Sequence, residues 1–478
     1  MNWYKEVLKR KNDLLEDLTQ LLKLESTKDS TSELNNQQPM GENIAKALDY
    51  MLNLSSQTGL STKNGDGYYG YAELIGSNQD EHIAVLCHVD VVPATGQWTS
   101  PPYEPTIRDR KLYARGAIDD KGPTMAAFYA MKMIKELQLP MKRNVRIIFG
   151  TDEESGMSCI KKYRDIEKPP VAGFAPDATF PIIHAEKGQI HAKFAMKKVS
   201  TNTEAKLKDD ILLSFHAGTR GNMVPENATA TLSGNLKQIE STFLDYLKKH
   251  HLYGEITKDN DNKTITLTLK GISAHSMEPF KGLNAGVSLA KFLSFLPLDI
   301  NGENYISFIK QKFADDHYGE KLNIYHEDEI TGSLTVNPAI FRYGLENEAF
   351  VQANIRYPVT AKFETIERNI MDTIKSYNFY IDEIRYKQPH HVDKNTSMIK
   401  ALQLAYENET GDEPTLLSSG GNTYASLLPN CVAYGAVFPG KEMTAHQKDE
   451  YIEIDDLLKA TSIYAQAIYN LANMEDEM

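Results

Sequence analysis

Histidine, aspartate and glutamate residues recur in five short segments whose composition suits the binding of metal ions. Four of these segments follow an apolar run or precede a predicted helix. The five segments are His88-Val89-Asp90, Asp119-Asp120-Lys121-Gly122, Asp152-Glu153-Glu154, Ala175-Pro176-Asp177 and Ala445-His446-Gln447. Two closely spaced divalent ions need a shared carboxylate together with further oxygen and imidazole ligands, and this set can supply them. The residue types therefore indicate hydrolytic chemistry assisted by two metal ions.

Two of the segments place a candidate ligand beside a residue for a second task. In an extended chain, residues two apart point to the same side, so His88 and Asp90 project together. A ligating imidazole normally donates its second N–H to a carboxylate, which predicts that Asp90 orients His88. The adjacent side chains of Glu153 and Glu154 diverge, so that one can coordinate a metal while the other exchanges a proton with the reacting water. Each segment on its own is also typical of an ordinary strand end or an acidic loop.

The segment around Asp119 stands at the start of a predicted helix. Pro123 lies near the first turn of that helix, and the preceding turn can hold a carboxylate at the helix entrance. The same residues are also typical of a solvated turn with a helix cap. The sequence pattern does not distinguish Asp119 from Asp120 as the ligand.

The predicted secondary structure brings several of these residues to one edge of a sheet. Between residues 81 and 187, apolar strands alternate with helical stretches, which is the pattern of a parallel sheet with crossover helices. Ligands of such sheets gather beyond the carboxyl ends of the strands. We therefore expect an α/β catalytic domain, with helices on both faces of a mostly parallel sheet. The residues expected at that edge are His88, Glu153, Glu154 and Asp177.

The middle of the chain has a different pattern. After Gly188, strands of alternating polarity mix with helices, which predicts an inserted α+β domain with an antiparallel sheet. Because His446 follows this region, the first and last segments must form one domain if the metal site exists. The predicted boundaries are residues 1–187 and 386–478 for the catalytic domain and residues 188–385 for the insertion.

Composition narrows the classes of function. The chain has 478 residues, a net charge of −13 and no basic block, which argues against a nucleic-acid partner. Residues 1–27 have the pattern of an amphipathic helix rather than of a signal sequence or a membrane span. The three cysteines are too few for a disulfide framework or a cysteine zinc site. These features predict a cytoplasmic protein that acts on small substrates, with no nucleic-acid or membrane partner.

Three longer motifs resemble those of a known enzyme family. They are His-Val-Asp-Val-Val-Pro at 88–93, Arg-Gly-Ala-Ile-Asp-Asp-Lys-Gly-Pro at 115–123 and Gly-Thr-Asp-Glu-Glu-Ser at 150–155. With these motifs in this order, the chain resembles the M20 metallopeptidase family over nearly its whole length. The resemblance is greatest to the bacterial branch of PepV-type dipeptidases. It implies that the insertion is a lid domain.

The resemblance assigns the metal ligands by position. His88 and Asp177 are implied as ligands of one divalent ion, and Glu154 and His446 as ligands of the other. Asp119 is implied as the bridge between the ions, followed by a cis peptide bond. Zinc is the predicted metal, with manganese or cobalt as alternatives, because histidine and carboxylate ligands suit several ions.

The resemblance also implies residues that act on the substrate. Glu153 is implied as the general acid/base. His275, in Gly271-Ile272-Ser273-Ala274-His275, resembles a lid histidine that polarises the scissile carbonyl. Asn222 and Arg356 match positions that meet the carboxylate end of the substrate in the dipeptidase branch, and a guanidinium suits that carboxylate.

A glycine-rich loop near the end of the chain resembles a substrate-binding loop of the family. It contains Gly420, Gly421 and Asn422, where Asn422 replaces the third glycine that relatives usually have, and Ser426 stands where an arginine is common. Asparagine tolerates a left-handed backbone better than most residues, so the loop is expected to keep its shape. The departure affects the expected substrate preference.

The residues and the resemblance together predict a metallo-dipeptidase in which an activated water attacks the peptide carbonyl of a small peptide. One alternative is an N-acyl amino-acid deacylase or desuccinylase with the same metal centre. Another is a binding protein that kept the fold and lost catalysis, although the intact ligand set argues against it. The large insertion resembles the enlarged lid of the dipeptidase branch, which implies a monomer.

Overall fold

The chain folds into two compact units. The computed structural model describes residues 1–28, 38–200, 210–259, 261–345 and 348–475. Unit 1 comprises Met1–Ala185, His391–Ser418 and Asn422–Met478, and unit 2 comprises Glu186–His390 and Ser419–Gly421. The main boundaries between the units lie after residues 185 and 390. The boundaries predicted from the sequence pattern lie after residues 187 and 385.

A mixed β-sheet forms the centre of unit 1. Its central strands pair in parallel, and the strands on either side of them pair antiparallel. The predicted α/β class is confirmed, with the parallel pairing at the centre of the sheet. In hydrogen-bonded order, the described strands are Ser61–Gly65, Tyr69–Leu74, Arg143–Gly150, Asn78–His88, Ala172–Ala175, Cys431–Ala433, Ile182–Glu186 and His390–His391, with Leu416–Ser419 also paired to Ile182–Glu186.

Helices cover both faces of this sheet. Side chains of the strand Asn78–His88 alternate between two hydrophobic clusters, because successive residues of a strand point to opposite faces. Val85 packs in a cluster that includes the helix Lys121–Glu136, and Leu86 packs in another that includes the helix Ser158–Ile166. The described α-helices of unit 1 are Trp3–Leu8, Lys11–Leu22, Glu42–Gln57, Lys121–Glu136, Ser158–Ile166, Ser397–Thr410 and Ile454–Asn473.

Two small sheets join the first and last segments of unit 1. The pairs are Tyr451–Glu453 with Lys111–Tyr113, Lys111–Tyr113 with Thr106–Arg108, and Ala436–Val437 with Ala178–Thr179. His446 lies in the loop between two of these strands. The pairings therefore bring that loop to the segments that contain Asp119 and Asp177.

Unit 2 is built on an eight-stranded sheet whose described neighbours all pair antiparallel. The predicted α+β insertion with an antiparallel sheet is therefore confirmed. In hydrogen-bonded order, the strands are Tyr253–Asp259, Thr264–Lys270, Asn227–Ser233, Ile211–Ala217, Thr335–Gly344, Phe350–Tyr357, Gly188–Met196 and Phe379–Lys387. The described α-helices of the unit are Leu236–His250, Ala285–Leu293, Ile300–Phe313 and Phe363–Ile374. Across the described residues of both units, no helix has the length and apolar character needed to cross a membrane.

A buried ion pair ties the two segments of unit 1 together. Arg115 Nη1 donates to Glu450 Oε2 at 2.5 Å, and both side chains are buried. The other carboxylate oxygen, Oε1, accepts from the backbone N–H groups of Ile118 at 2.9 Å and Asp119 at 3.2 Å. Glu450 therefore holds the segment that leads to Asp119 against the last segment of the chain.

Replacing Arg115 by methionine should lower the free energy of unfolding of unit 1 by about 3–5 kcal/mol, because Glu450 would stay buried without its counter-charge. Both tryptophans of the chain, Trp3 and Trp98, lie in unit 1, so tryptophan fluorescence during urea denaturation reports on this unit. The control is Arg110→Met, which removes an exposed ion pair and should cost less than about 1 kcal/mol. Equal losses in the two variants would contradict the importance of the buried pair.

Candidate metal centre

Six side chains of unit 1 form two groups in which candidate ligand atoms lie within 4.8 Å of one another. Every member comes from one of the five segments that the sequence singled out. Each group offers one imidazole and two carboxylates, a donor set that suits zinc, manganese and similar divalent ions. The first group is His88, Glu153 and Asp177, and the second is Asp119, Glu154 and His446.

The carboxylate of Asp119 lies between the two imidazoles. Its Oδ1 is 3.1 Å from His88 Nε2, and its Oδ2 is 3.0 Å from His446 Nε2. On the side of His88, Asp177 Oδ2 is 3.7 Å from Nε2, and on the side of His446, Glu154 Oε2 is 3.0 Å from Nε2. One residue thus faces both groups with different oxygens, which is the arrangement that a bridging ligand needs.

Three neighbouring parallel strands position most of this cluster. His88 is the last residue of the strand Asn78–His88, and the segments containing Glu153, Glu154 and Asp177 follow the strands on either side of it. Because parallel strands end at the same edge of a sheet, these side chains meet there. His446 reaches the cluster from a loop and has a left-handed backbone with φ 65°.

The two adjacent aspartates, between which the sequence pattern did not distinguish, have different contacts in the structure. Asp120 Oδ2 accepts from the backbone N–H of His88 and from Thr124 Oγ1, both at 3.1 Å, so its carboxylate is bound by structural partners. The side chain of Asp119 instead faces the imidazoles. The bond between the two aspartates is cis, as the family resemblance implied.

The side chain of Asp90 makes two contacts that the sequence did not predict, in addition to its approach to His88. Its Oδ1 accepts from the backbone N–H of Glu153, and its Oδ2 accepts from that of Glu154, each at 3.1 Å. His88 Nδ1 lies 3.0 Å from the carbonyl oxygen of Asp90 and 3.5 Å from its carboxylate. The carbonyl oxygen is thus nearer to the imidazole than the carboxylate is, and the carboxylate also fixes the turn that carries both glutamates.

Glu450 is a positioning residue that the sequence analysis missed. It accepts from the backbone N–H of Asp119 and is fully buried. In the sequence it closes the run Lys448-Asp449-Glu450, which has the appearance of an exposed charged turn. The sequence feature that could have pointed to Glu450 is its position four residues after His446, but a spacing of four has no specific meaning in a loop.

Burial and mutual repulsion shift the pKa values of the clustered carboxyl groups. Burial raises the pKa of Glu154 to about 7, and the nearby Asp119 adds to this shift. Burial also raises the pKa of Glu153 and of Asp177, where the charges of Asp177 and Asp119, respectively, contribute next. For His446, burial alone would lower the pKa, but the hydrogen bonds to Asp119 and Glu154 raise it to about 11. These raised pKa values indicate that the cluster is stabilised when positive charge, as protons or cations, is bound to it.

The residues of the cluster fit divalent cations. His88 Nε2 is buried and makes no hydrogen bond of regular geometry with any described residue, although Asp119 Oδ1 and Asp177 Oδ2 lie 3.1 and 3.7 Å from it. An unpaired buried nitrogen is costly in a folded protein, and an imidazole nitrogen aimed at carboxylate oxygens is a normal metal donor. No thiol joins the cluster, since the three cysteines are buried elsewhere in unit 1 and form no disulfide.

Unit 2 contains most of the residues that were predicted to bind the substrate. Asn222 and His275 lie on two loops that pair with each other: Ser276 N donates to the carbonyl oxygen of Asn222 at 2.9 Å, and Met223 and His275 form an isolated antiparallel bridge. The structure therefore brings these two loops together. Of the predicted substrate residues, unit 2 holds Asn222, His275, Arg356, Gly420 and Gly421, whereas Asn422 belongs to unit 1.

The guanidinium of Arg356 is buried beside the glycine-rich loop. Its Nε donates to Asn354 Oδ1 at 2.8 Å, and its Nη1 donates to the carbonyl oxygen of Gly420. Only 3% of Arg356 is exposed, and no carboxylate among the described residues pairs with it. Burial lowers the pKa of Arg356 to about 10. A Cβ at Gly420 would lie 2.6 Å from Met277 Cβ, so the close approach of this loop requires glycine.

Comparison with known proteins identifies relatives along almost the whole chain. The profile of Peptidase family M20/M25/M40 matches residues 84–470. A protein of Bacillus subtilis (strain 168) named "Putative dipeptidase YtjP" is 45% identical over 474 residues, which cover 99% of this chain and 100% of that protein. A "Putative dipeptidase" of Staphylococcus epidermidis (strain ATCC 12228 / FDA PCI 1200) is 39% identical over 471 residues, covering 98% and 99%.

Solved structures of peptidases share the fold. The M20 family metallo-carboxypeptidase Sso-CP2 from Sulfolobus solfataricus aligns with a TM-score of 0.56 and 17% identity, covering 96% of this chain and 99% of that one. Aminopeptidase PepT from Bacillus cereus ATCC 10987 aligns with a TM-score of 0.55 and 14% identity, covering 97% and 99%. At these identities the likeness concerns the fold alone. The family profile and the full-length relatives show that the chain belongs to Peptidase family M20/M25/M40.

Proposed function

We propose that the protein is a dipeptidase that hydrolyses small peptides with a water activated at a two-metal centre. The observation that carries this proposal is the position of Asp119, whose two carboxylate oxygens face two imidazoles in two ligand groups. The names of the full-length relatives support the choice of dipeptides as the substrate class. Membership of a peptidase family supports hydrolysis as the reaction.

The proposed ligands are His88 and Asp177 for one ion and Glu154 and His446 for the other, with Asp119 shared. Zinc is the proposed metal, and manganese and cobalt are alternatives with the same type of ligand. Such ions, when bound, lower the pKa of a coordinated water to about 7 and polarise a carbonyl oxygen.

Glu153 is the proposed general acid/base. Its backbone N–H is fixed by Asp90, and its carboxylate lies within the first ligand group, so it stands beside the proposed site of reaction. In the proposed mechanism its carboxylate takes a proton from the attacking water and then donates that proton to the nitrogen of the leaving amine. Asp90 fixes the backbone of the adjacent Glu153 and Glu154, so that one carboxylate can transfer protons while the other binds metal.

The residues of unit 2 are proposed to recognise the substrate. Arg356 has a buried guanidinium with only neutral acceptors among the described residues, and such a group pairs well with the carboxylate end of a peptide. Asn222 is proposed to assist it, and His275 to polarise the scissile carbonyl. The remaining proposed contacts come from the loop of Gly420, Gly421 and Asn422.

A monomer in the cytoplasm is part of the proposal. Both edge strands of the unit 2 sheet, Tyr253–Asp259 and Phe379–Lys387, carry several charged residues, and charges on edge strands discourage pairing with a second chain. The three cysteines are buried and form no disulfide, as is usual in a reducing compartment.

Removal of metal should abolish the hydrolysis of free dipeptides, and addition of zinc, manganese or cobalt should restore it. Metal analysis of the active protein should give about two ions per chain, as the paired ligand groups require. The substrate panel should include N-acetylated amino acids and N-succinylated substrates, because faster cleavage of these would favour the deacylase or desuccinylase alternative. Full activity of the stripped protein on dipeptides would refute the proposal.

The adjacent variants Glu153→Gln and Glu154→Gln should fail in different ways. Loss of the general acid/base should lower kcat by about 10²–10⁴-fold while the protein retains its metal. Loss of a ligand in Glu154→Gln should instead lower the metal content of the isolated protein, because an amide binds such ions more weakly than a carboxylate. Turnover by Glu153→Gln at the level of the wild type would contradict the assigned role.

The variant Arg356→Lys should lower kcat/KM for free dipeptides by about 10- to 150-fold, because a lysine cannot make the bidentate contact of a guanidinium with the substrate carboxylate. It should also lose the preference of the wild type for a dipeptide over its C-terminal amide. Arg342→Lys is the matched control, since Arg342 lies in the same unit and donates to three backbone carbonyl oxygens. An undiminished preference for the free carboxylate in Arg356→Lys would contradict the assignment.

A further inference from the structure

A buried asparagine of unit 2 has no role in the function proposed so far. Asn337 lies on the strand Thr335–Gly344 and is 1% exposed. Burying a carboxamide is unfavourable unless its polar atoms find partners. The contacts of this side chain therefore indicate what it does.

Asn337 acts entirely as a hydrogen-bond donor. Its Nδ2 donates to the carbonyl oxygen of Met223 at 2.9 Å and to Ser276 Oγ at 2.8 Å. The carbonyl of Met223 can only accept, which fixes the orientation of the amide. Its Oδ1 is buried and has no hydrogen-bond partner in the described part of the chain. A change that removes the two N–H groups and keeps the shape of the side chain thus removes all of these contacts.

The two acceptors belong to the loops that carry the proposed substrate residues. Met223 directly follows Asn222, and Ser276 directly follows His275. The same loops are joined by the hydrogen bond from Ser276 N to the Asn222 carbonyl, at 2.9 Å. Asn337 therefore holds both loops at the point where they pair with each other.

The strand of Asn337 also has a fixed register with the strand of Arg356. In this antiparallel pair, Asn337 is opposite Asn354, and Thr335 is opposite Arg356. Residues opposite each other, and residues two apart on one strand, share a face of the sheet. The side chains of Asn337 and Arg356 thus lie on the same face, where Asn354 Oδ1 accepts from Arg356 Nε at 2.8 Å.

We propose that Asn337 is a positioning residue that sets Asn222 and His275 at a fixed place relative to Arg356. The inference rests on the proposed function, because it assigns these three residues to one substrate. Asn337 itself touches none of the reacting groups. Its effect passes through the two loops, which it ties to the strand pair that carries the guanidinium through the Met223 carbonyl and the Ser276 hydroxyl.

The sharpest variant is Asn337→Asp, which keeps the shape of the side chain, removes both N–H donors and places a carboxylate oxygen against the carbonyl of Met223. We expect kcat/KM for a free dipeptide to fall by about 100-fold, since small displacements of groups that orient a substrate have effects of this size. Asn337→Ser, which keeps one hydroxyl donor, should fall between this variant and the wild type. Asn337→Ser also replaces Asn337→Asp as the test variant if Asn337→Asp does not fold.

The matched control is Asn301→Asp in the same unit. Asn301 Nδ2 also donates to a backbone carbonyl, that of Val199 at 3.0 Å, but this contact lies outside the two loops. We expect its kcat/KM to stay within about threefold of the wild type, as is usual for a partly exposed position away from the site. An equal loss in Asn301→Asp and Asn337→Asp would overturn the proposal.

A double-mutant cycle separates positioning from a general loss of stability. If Asn337 acts through His275, then Asn337→Asp should lower kcat/KM about tenfold or less in a His275→Ala background, instead of about 100-fold. A merely structural role would give the same factor in both backgrounds. Equal factors would therefore overturn the proposal.

Hydrogen exchange tests the inference without any substrate. The backbone N–H groups of Val224 and Ser276 bond across the two loops, to Ala274 and Asn222, and should exchange at least about tenfold faster in Asn337→Asp than in Asn301→Asp. Unchanged exchange would overturn the positioning role. Faster exchange in a protein whose wild type cleaves no dipeptide would support that role and refute the proposed function instead.

Discussion

The concentration of several partly buried carboxylates in one place is the constraint on which unit 1 depends. Asp119, Glu153, Glu154 and Asp177 lie in two groups of candidate ligands that together include two imidazoles. Their negative charges repel one another, and burial removes the water that would otherwise screen them. Four carboxylates would balance the charge of two divalent ions, so the composition of the cluster suits the binding of cations.

Such a cluster needs support from groups that themselves bind no metal. In unit 1 this support comes from buried carboxylates that accept backbone N–H groups: Asp90 holds the turn of the two glutamates, and Glu450 holds the segment before the cis bond. In unit 2 the supporting side chain donates hydrogen bonds instead of accepting them: Asn337 donates to the loops of Asn222 and His275. In each unit, residues of loops are fixed by side chains whose own positions are set by the sheets or by a buried ion pair.

The sequence predicted the parts of the fold and the site that depend on local patterns. Apolar strands followed by polar residues gave the sheet and the positions of His88, Glu153 and Asp177, because strand ends can be read from alternation and composition. The antiparallel outer strands of unit 1 were not foreseen, since pairing direction depends on contacts distant in sequence. Glu450 and Asn337 were missed for the same reason: their partners are far away along the chain, and nothing local marks either residue as buried.

The local sequence pattern also could not determine which of two neighbouring residues is the candidate ligand. Asp119 and Asp120 have the same side chain at the same helix entrance, and only the family resemblance favoured Asp119. In the structure Asp120 is bonded to the strand and the helix, while Asp119 faces the imidazoles. The contacts of Asp90 were likewise not accessible, because its carboxylate serves a turn that lies about sixty residues further along.

The split of unit 1 around unit 2 has a consequence for the newly made protein. The ligand groups contain residues from the first segment and His446 from the last, which comes 269 positions after Asp177. At the usual speed of a ribosome, about 5–20 residues per second, that gap corresponds to roughly ten seconds to a minute of translation. Throughout this interval the nascent chain holds the acidic residues of the cluster without His446, so the second ligand group can form only after His446 has been made.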